Sequence, residues 1–362
     1  MRKVLIVITT SFVFYGGLTS VMMNLYKNID KNRFIIDFAS TNKLLSEDLK
    51  QILKQNHSNY YYLGNRKKNI ISYCYRLNKL LRINSYDVIH INSNSATASI
   101  DLAIAKLNNI SKRIVHNHSS SCDHKMLNWL LLPFFNLLYT KAIACSEKAG
   151  NWLFPNNGFL VINNGIDTEK YRFSSKNRTE IRKRFNINDS AIVLGHVGKF
   201  YKPKNHLFLV RVFFKYHQIN RNSFLLLVGD GILRHEIENE IKQLDIAESV
   251  IFAGMQNNPE IFLSAMDCFV FPSIWEGMPL SLIEAQANGL PCLASSNIDL
   301  GAKLTTNIIM LPIDRGINIW FEHLLSYKKE DRFVSSDRNI QKINFAGFNA
   351  TENAKIMEDI YS

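Results

Sequence analysis

A chain of 362 residues with 46% hydrophobic side chains is long enough for two full cores and too apolar to be a disordered polymer. Its net charge of +12 is lopsided, since residues 1–170 hold 21 Lys+Arg against 10 Asp+Glu and the remainder hold 22 against 21. That excess asks for an anionic partner, either a membrane surface or nucleic acid, and the lack of a basic patch interleaved with aromatics argues against nucleic acid. Cys74, Cys122, Cys145, Cys268 and Cys292 show no C-x-x-C spacing and read as reduced thiols, with no zinc site.

In chain order, Val4–Ile8 reads as a buried strand. Arg2-Lys3 before it imitates a signal peptide, but no small-residue cleavage site follows. Gly16-Gly17 precede an apolar helix at Val21–Tyr26, and glycines at a helix start let a ligand approach the backbone. Phe34–Ala39 reads as a strand, Ser46–Gln55 as a helix, and Asn69–Arg82 as a helix with a basic face. Asp87–Asn92 is a strand, Ala96–Leu107 a helix, and Arg113–His116 a strand closing in H-N-H. This alternation predicts a parallel, Rossmann-like sheet. His116 and His118 fall at a strand's C-terminal end, where α/β sites form, and are expected to face one way only if the strand ends between them.

Lys125–Lys141 is apolar, aromatic and lysine-flanked, with Pro133 to kink it. It is too short to span a bilayer, as is every other apolar run, which leaves two readings open: an interfacial helix on an anionic membrane, or a buried core helix. Ala142–Cys145 is a further strand, and N-G-I-D at Asn164–Asp167 precedes a helix containing R-K-R-F.

A second strand–helix series follows. Ile192–Val197 is a strand leading into G-K-F-Y-K-P-K-N-H. Gly198 admits close backbone approach, Lys199 and Lys204 bring two cations to the strand end, and Asn205 is placed to cap the next helix; together they suit a diphosphate. Phe224–Val228 is a strand followed by G-D-G and a helix, and Val250–Gly254 is a strand followed by Met255 and Gln256. Cys268–Phe271 is a strand whose following loop holds Glu276, Gly277, Met278, Pro279 and Leu280. Ser281 is placed to cap a helix with Leu282, Ile283, Ala285 and Ala287 on its apolar face, ended by Gly289. The backbone N–H groups of 277–281 form a phosphate site at that helix start, and Glu284, one turn in, is placed to accept from a ribose. Beyond Lys303 the pattern fades until a final amphipathic helix.

The run P-S-x-x-E-G-x-P-x-x-x-x-E-A-x-A-x-G-x-P resembles the Glu-x7-Glu signature of the retaining glycosyltransferases of GT-B fold. R-I-V-H-N-H-S-S is similar to a segment of their exopolysaccharide and capsular polysaccharide members, and N-G-I-D to the segment that leaves their first domain. The resemblance implies an α/β, GT-B architecture: two Rossmann-like domains facing each other across a cleft. It divides the chain into an acceptor domain at 1–170, a nucleotide-sugar domain at 171–345, and a C-terminal helix at 346–362 packing back on the first domain. It implies catalytic roles for His116, His118 and Glu276. It also implies donor contacts from Gly16, Gly17, Gly198, Lys199, Lys204, Met255, Gln256, Gly277, Met278, Pro279, Leu280 and Glu284. Lys199 stands where the family commonly has Arg, and lysine cannot make the bidentate fork.

The expected function is hexosyl transfer from a nucleotide-sugar, a UDP-sugar foremost, to a lipid-linked saccharide in surface polysaccharide synthesis. It is expected to proceed with retention, without metal or other cofactor, on the inner face of the cell membrane. Two alternatives remain at this point: a nucleotide-sugar epimerase of the same fold, and a non-catalytic basic membrane-binding protein.

Overall fold

The computed structural model describes residues 1–10, 12–13, 16–155, 157–326 and 330–362. Ser11, Phe14 and Tyr15, ahead of Gly16-Gly17 in the sequence, lie outside the described residues. The chain divides into two compact units, Met1–Gly165 with Gly347–Ser362, and Ile166–Ala346. The first unit thus ends at Gly165 rather than at residue 170. A Cβ on Gly165 would stand 2.8 Å from the Ala350 backbone, so the glycine of N-G-I-D lets the C-terminal helix pack close.

Among the described residues the first unit holds seven parallel strands: β1 (Arg2–Ile8), β2 (Phe34–Ser40), β3 (Tyr60–Tyr62), β4 (Val88–Asn92), β5 (Lys112–Asn117), β6 (Lys141–Ala144) and β7 (Leu160–Val161). Their order is β3-β2-β1-β4-β5-β6-β7, which reverses direction between β1 and β4. Val4–Ile8 are buried throughout, as an apolar run covered on both faces must be. Helices Ile70–Asn84, Ser99–Leu107 and Lys125–Asn136 share one core with Leu5, Ile89 and Val115. The C-terminal helix, Ala350–Tyr361, packs on helix Gly17–Asn28, where Glu358 accepts from Asp30 N at 2.7 Å and pairs with Arg33 at 2.9 Å.

The second unit holds β8 (Ile192–Val197), β9 (Ser223–Val228), β10 (Val250–Gly254), β11 (Cys268–Phe271), β12 (Cys292–Ser295) and β13 (Ile308–Leu311). Their order is β10-β9-β8-β11-β12-β13, all parallel, reversing between β8 and β11. Beyond Lys303, where the sequence pattern fades, the fold continues with β13 and helices Ile317–Leu325 and Arg332–Phe345.

Several local expectations are corrected. Lys125–Lys141 is not one helix: it stops at Asn136, and Lys141 opens β6. Ser281 does not cap its helix, which runs Leu280–Ala287 behind Pro279, so Ser281 lies inside the first turn. Asn205 precedes helix His206–Ile219 in a left-handed conformation (φ 56°) and makes no side-chain cap; its amide donates to Pro272 O at 3.1 Å instead. In G-D-G, a Cβ on Gly229 would lie 2.0 Å from Gly198 O and one on Gly231 would lie 2.4 Å from Phe200 O. Both glycines let that loop pack against the loop after β8.

The R-K-R-F helix, Ser175–Arg184, turns one of its cations inward. Arg182 is 1% exposed and donates to Asp267 Oδ2 at 2.6 Å, while Arg178 donates to Oδ1 at 2.7 Å and Val193 N to Oδ2 at 2.8 Å. Removing one member of a buried ion pair strands the other charge, at about 3–5 kcal/mol. Asp267→Ala, which leaves the buried Arg182 without its carboxylate, is therefore expected to lower unfolding stability by about 3 kcal/mol or more in urea titration; a loss below about 1 kcal/mol would contradict this account.

Candidate functional site

The strand order of the second unit reverses between β8 and β11, and the strand C-termini at such a reversal are where open α/β sheets take ligands. Two loops meet there. After β8 the chain runs through Gly198 to a single turn at Lys202–Lys204; after β11 it runs from Pro272 to Pro279. They are tied together by Ile274 N donating to Pro203 O at 2.8 Å and by the Asn205–Pro272 bond. At their junction Lys204 Nζ lies 2.9 Å from Glu276 Oε1 and 4.5 Å from the centre of the Phe271 ring. Lys204 is only 9% exposed. The contact with Glu276 is ionic rather than an aligned hydrogen bond, and Oε1 has no hydrogen-bond partner among the described residues.

Gly198 belongs to this arrangement. A Cβ there would stand 2.9 Å from His196 Nε2 and 3.4 Å from Lys204 Cε. Lys199 does not share the burial of Lys204: it is exposed, and no ion pair of its side chain occurs among the described residues. Gly277 is exposed with open space around it, Met278 lies near Gly301, and Pro279 is buried. Leu280 and Ser281 begin the helix, so their N–H groups have no helical acceptor and face outward. Met255 is exposed just past β10, and Gln256 donates back to Ala253 O, so neither joins the Lys204–Glu276 pair.

Glu284 sits one turn into the same helix, its carboxyl deep among packed groups although part of the residue remains open to solvent. Burial raises its pKa from the ordinary 4.5 to about 7, opposed by a hydrogen bond from Tyr171 and by the charges of Lys170 and Lys204, and assisted by Glu260. Tyr171, His196 and His206 are the members that sequence reasoning missed. His196 and His206 lie under Lys204 with ring centres 4.8 Å apart, and burial drives both pKa values down, His206 to about 3, so they are neutral packing partners. No motif spacing marks them; Tyr171 is remote in sequence from Glu284.

In the first unit β5 ends at Asn117, between the two histidines as expected, but that end is not what aligns them. Residues two apart share a face of a strand, so alternation itself brings His116 and His118 together, with ring centres 4.0 Å apart. His116 points inward: it is 3% exposed, neither ring nitrogen has a hydrogen-bond partner among the described residues, and it borders a cavity of about 20 Å³ lined by Met22, Leu25 and Met357. His90 stacks behind it at 5.4 Å and meets the Tyr361 hydroxyl at 2.7 Å. His118, just past β5, is the outer member of the stack. Its Nδ1 lies 3.0 Å from Asn164 Oδ1 and its Nε2 lies 2.9 Å from the Asn92 amide. Burial lowers its pKa to about 4, so the ring is neutral at pH 7 and needs one donor and one acceptor. Asn92 Nδ2 has no hydrogen-bond partner among the described residues and supplies the donor when that amide is turned over. Asn92 and Asn164 thus clamp the ring, and only Asn164 stood in a recognised segment. Gly16 precedes helix Gly17–Asn28, and a Cβ on Gly17 would meet nothing within 4 Å. Among the described residues, no group of three or more His, Cys, Asp or Glu is arranged to hold a metal ion.

Comparison with known proteins places these features. Residues 15–170 match the family described as Glycosyltransferase Family 4, and residues 177–303 match Glycosyl transferases group 1. The chain is 29% identical to the putative glycosyltransferase EpsF of Bacillus subtilis, over 96% of this chain and 93% of that protein. It is 27% identical to a UDP-Gal:alpha-D-GlcNAc-diphosphoundecaprenol alpha-1,3-galactosyltransferase of Escherichia coli, over 79% of this chain and 77% of the relative. Among solved structures, HepE of Anabaena in complex with UDP and glucose matches with a TM-score of 0.76 at 18% identity, over 99% of each chain. A glycosyltransferase from Rickettsia africae matches at 0.77 and 14%, over 99% of this chain and 97% of that one. The fold is GT-B, with two Rossmann-like halves.

The environment of Glu284 generates a pH test. Below about pH 4.5 its carboxyl is protonated folded or unfolded; between about 4.5 and 7 only the folded chain keeps the proton, so stability is lost as pH rises through that window. Glu284→Gln removes the penalty. Its melting temperature relative to the parent protein is expected to climb between pH 5 and pH 8; a constant difference across that range would contradict the burial-raised carboxyl.

Proposed function

We propose that this chain, a glycosyltransferase with a Family 4 region and a group 1 region, moves a hexosyl unit from a UDP-sugar to a lipid-linked saccharide during surface polysaccharide synthesis, with retention and without a metal ion. The observation that carries the donor half is the nearly buried Lys204 held against Glu276 at the β8/β11 reversal. A diphosphate needs cationic charge and free N–H donors in a site shielded from water, where they act most strongly. Lys204 supplies the first, and the start of helix Leu280–Ala287 supplies the second. A protonated Glu284 offers both a donor and an acceptor to a ribose.

The relatives support the choice of substrates: one is named for UDP-Gal and a diphosphoundecaprenol acceptor, and another, from Campylobacter jejuni, for a diphospho-undecaprenol acceptor. In the transfer, the acceptor oxygen bonds to the anomeric carbon as the bond to the β-phosphate oxygen breaks, and the acceptor proton passes to phosphate. Lys204 and the helix N–H groups stabilise the departing diphosphate, which is the task a divalent cation performs elsewhere. His118 is assigned to the acceptor side as a neutral ring fixed by two amides. His116, behind it, is assigned to holding that ring in place.

The test supplies labelled UDP-hexose, a lipid-linked acceptor and excess chelator. Product bearing the donor's anomeric configuration is expected to form in chelator. A strict divalent-metal requirement or an inverted linkage would refute the mechanism, and conversion of donor without acceptor would favour an epimerase. With the donor varied, Glu284→Ala is expected mainly to raise KM and Glu276→Gln mainly to lower kcat; equal effects confined to KM would contradict that division.

A further inference from the structure

Helix Lys125–Asn136 is amphipathic the wrong way round for a solvated surface. Asn128 and Phe135 face the core, with Asn128 accepting from Ala96 N at 2.6 Å. Its exposed side carries Met126, Leu127, Trp129, Leu130, Phe134 and, just beyond its end, Leu137. Trp129 is 72% exposed and Leu137 76%. These positions recur at three- and four-residue intervals, forming one stripe about 17 Å long at 1.5 Å per residue. Neither buried nor paired, such a stripe marks an interaction surface.

Its surroundings say what covers it. Helices Ile70–Asn84 and Ser99–Leu107 pack on the same core cluster, in the same layer as the stripe. The first presents Arg76, Lys79 and Arg82 outward, with Lys67 and Lys68 just ahead of it, and none of these five is in an ion pair among the described residues. Ile71, 79% exposed, and Tyr75, 65% exposed, stand among these cations. No Asp or Glu occurs between residues 49 and 86 to offset them. Apolar side chains with a tryptophan, flanked by unpaired cations, match the acyl boundary and anionic headgroups of a bilayer. A protein partner or a second copy of the chain would have to offset this charge with an acidic face. No helix among the described residues is long and apolar enough to cross a membrane, so the stripe lies on the bilayer rather than through it.

We infer that the outer face of this helix layer docks on an anionic lipid bilayer, with the Met126–Leu137 stripe inserted and the cations of 67–82 on the headgroups. The docking stands on these residues and not on the donor site. It also gives the proposed lipid-linked acceptor a route, because the stripe begins just after the loop that follows His118.

Sedimentation with vesicles of phosphatidylcholine, with and without phosphatidylglycerol, tests the inference. The parent protein is expected to sediment with the anionic vesicles and to be released by high salt. Trp129→Glu/Phe134→Glu and Lys79→Glu/Arg82→Glu are each expected to lower partitioning at least about tenfold. Both are expected to keep UDP binding unchanged, which reports a folded second unit. Brominated lipid added to the parent protein is expected to quench tryptophan emission, and Trp129→Phe to abolish that quenching. Undiminished sedimentation of either double variant, absence of quenching, or a dimer broken by Trp129→Glu without any vesicle binding would overturn the inference.

Discussion

An ammonium group placed almost wholly inside a protein must have a counter-charge, and Lys204 has Glu276. This one pair fixes much of the second unit's functional end. It joins the loop after β8 to the loop after β11, and the Ile274–Pro203 and Asn205–Pro272 bonds hold the same junction. The glycines follow from it: Gly198 leaves room for Lys204 and His196, and Gly229 and Gly231 let the next loop close over the first. The pair is also under-satisfied, because Glu276 Oε1 meets the ammonium without an aligned hydrogen bond. A cation so placed has bonding capacity left for an anion arriving at the strand C-termini.

The first unit is built on the same sheet logic with different chemistry. Its end after β4 and β5 carries no buried lysine but a stack of three imidazoles, His90, His116 and His118, leading from the C-terminal helix to the surface. Burial keeps these rings neutral, so His90 and His118 hydrogen-bond and His116 packs between them, and none carries charge. The unit's positive charge lies instead on its exterior, around an apolar stripe that its own core does not use.

Much of this was legible in the sequence because the signals were local. The alternation of apolar runs and helical patterns gave the parallel sheets, and the Glu276–Glu284 run and the Lys204 loop could be read directly. Details failed where tertiary contacts overrode local rules. Ser281 and Asn205 have capping side chains, yet Pro279 starts one helix and Asn205 is drawn away to Pro272 O. Arg182, in the helix read from R-K-R-F, is buried because Asp267, far along the chain, pairs with it. Tyr171 and Asn92 were invisible, since each acts on a residue remote in sequence, Glu284 and His118. The Lys125–Lys141 segment was ambiguous because its composition suits a core helix and a membrane-facing one equally; only the exposure of Trp129 and Phe134 separates them.

The central claim is that the β8/β11 reversal, with Lys204 at its centre, binds the diphosphate of the donor. Isothermal titration of UDP against UMP measures this directly, in the parent protein and in Lys204→Met. UDP is expected to bind at least about tenfold more tightly than UMP, the size of one charge-assisted hydrogen bond, with the advantage lost in Lys204→Met. Equal affinities for UDP and UMP in the parent protein, or an undiminished preference for UDP in the variant, would contradict it.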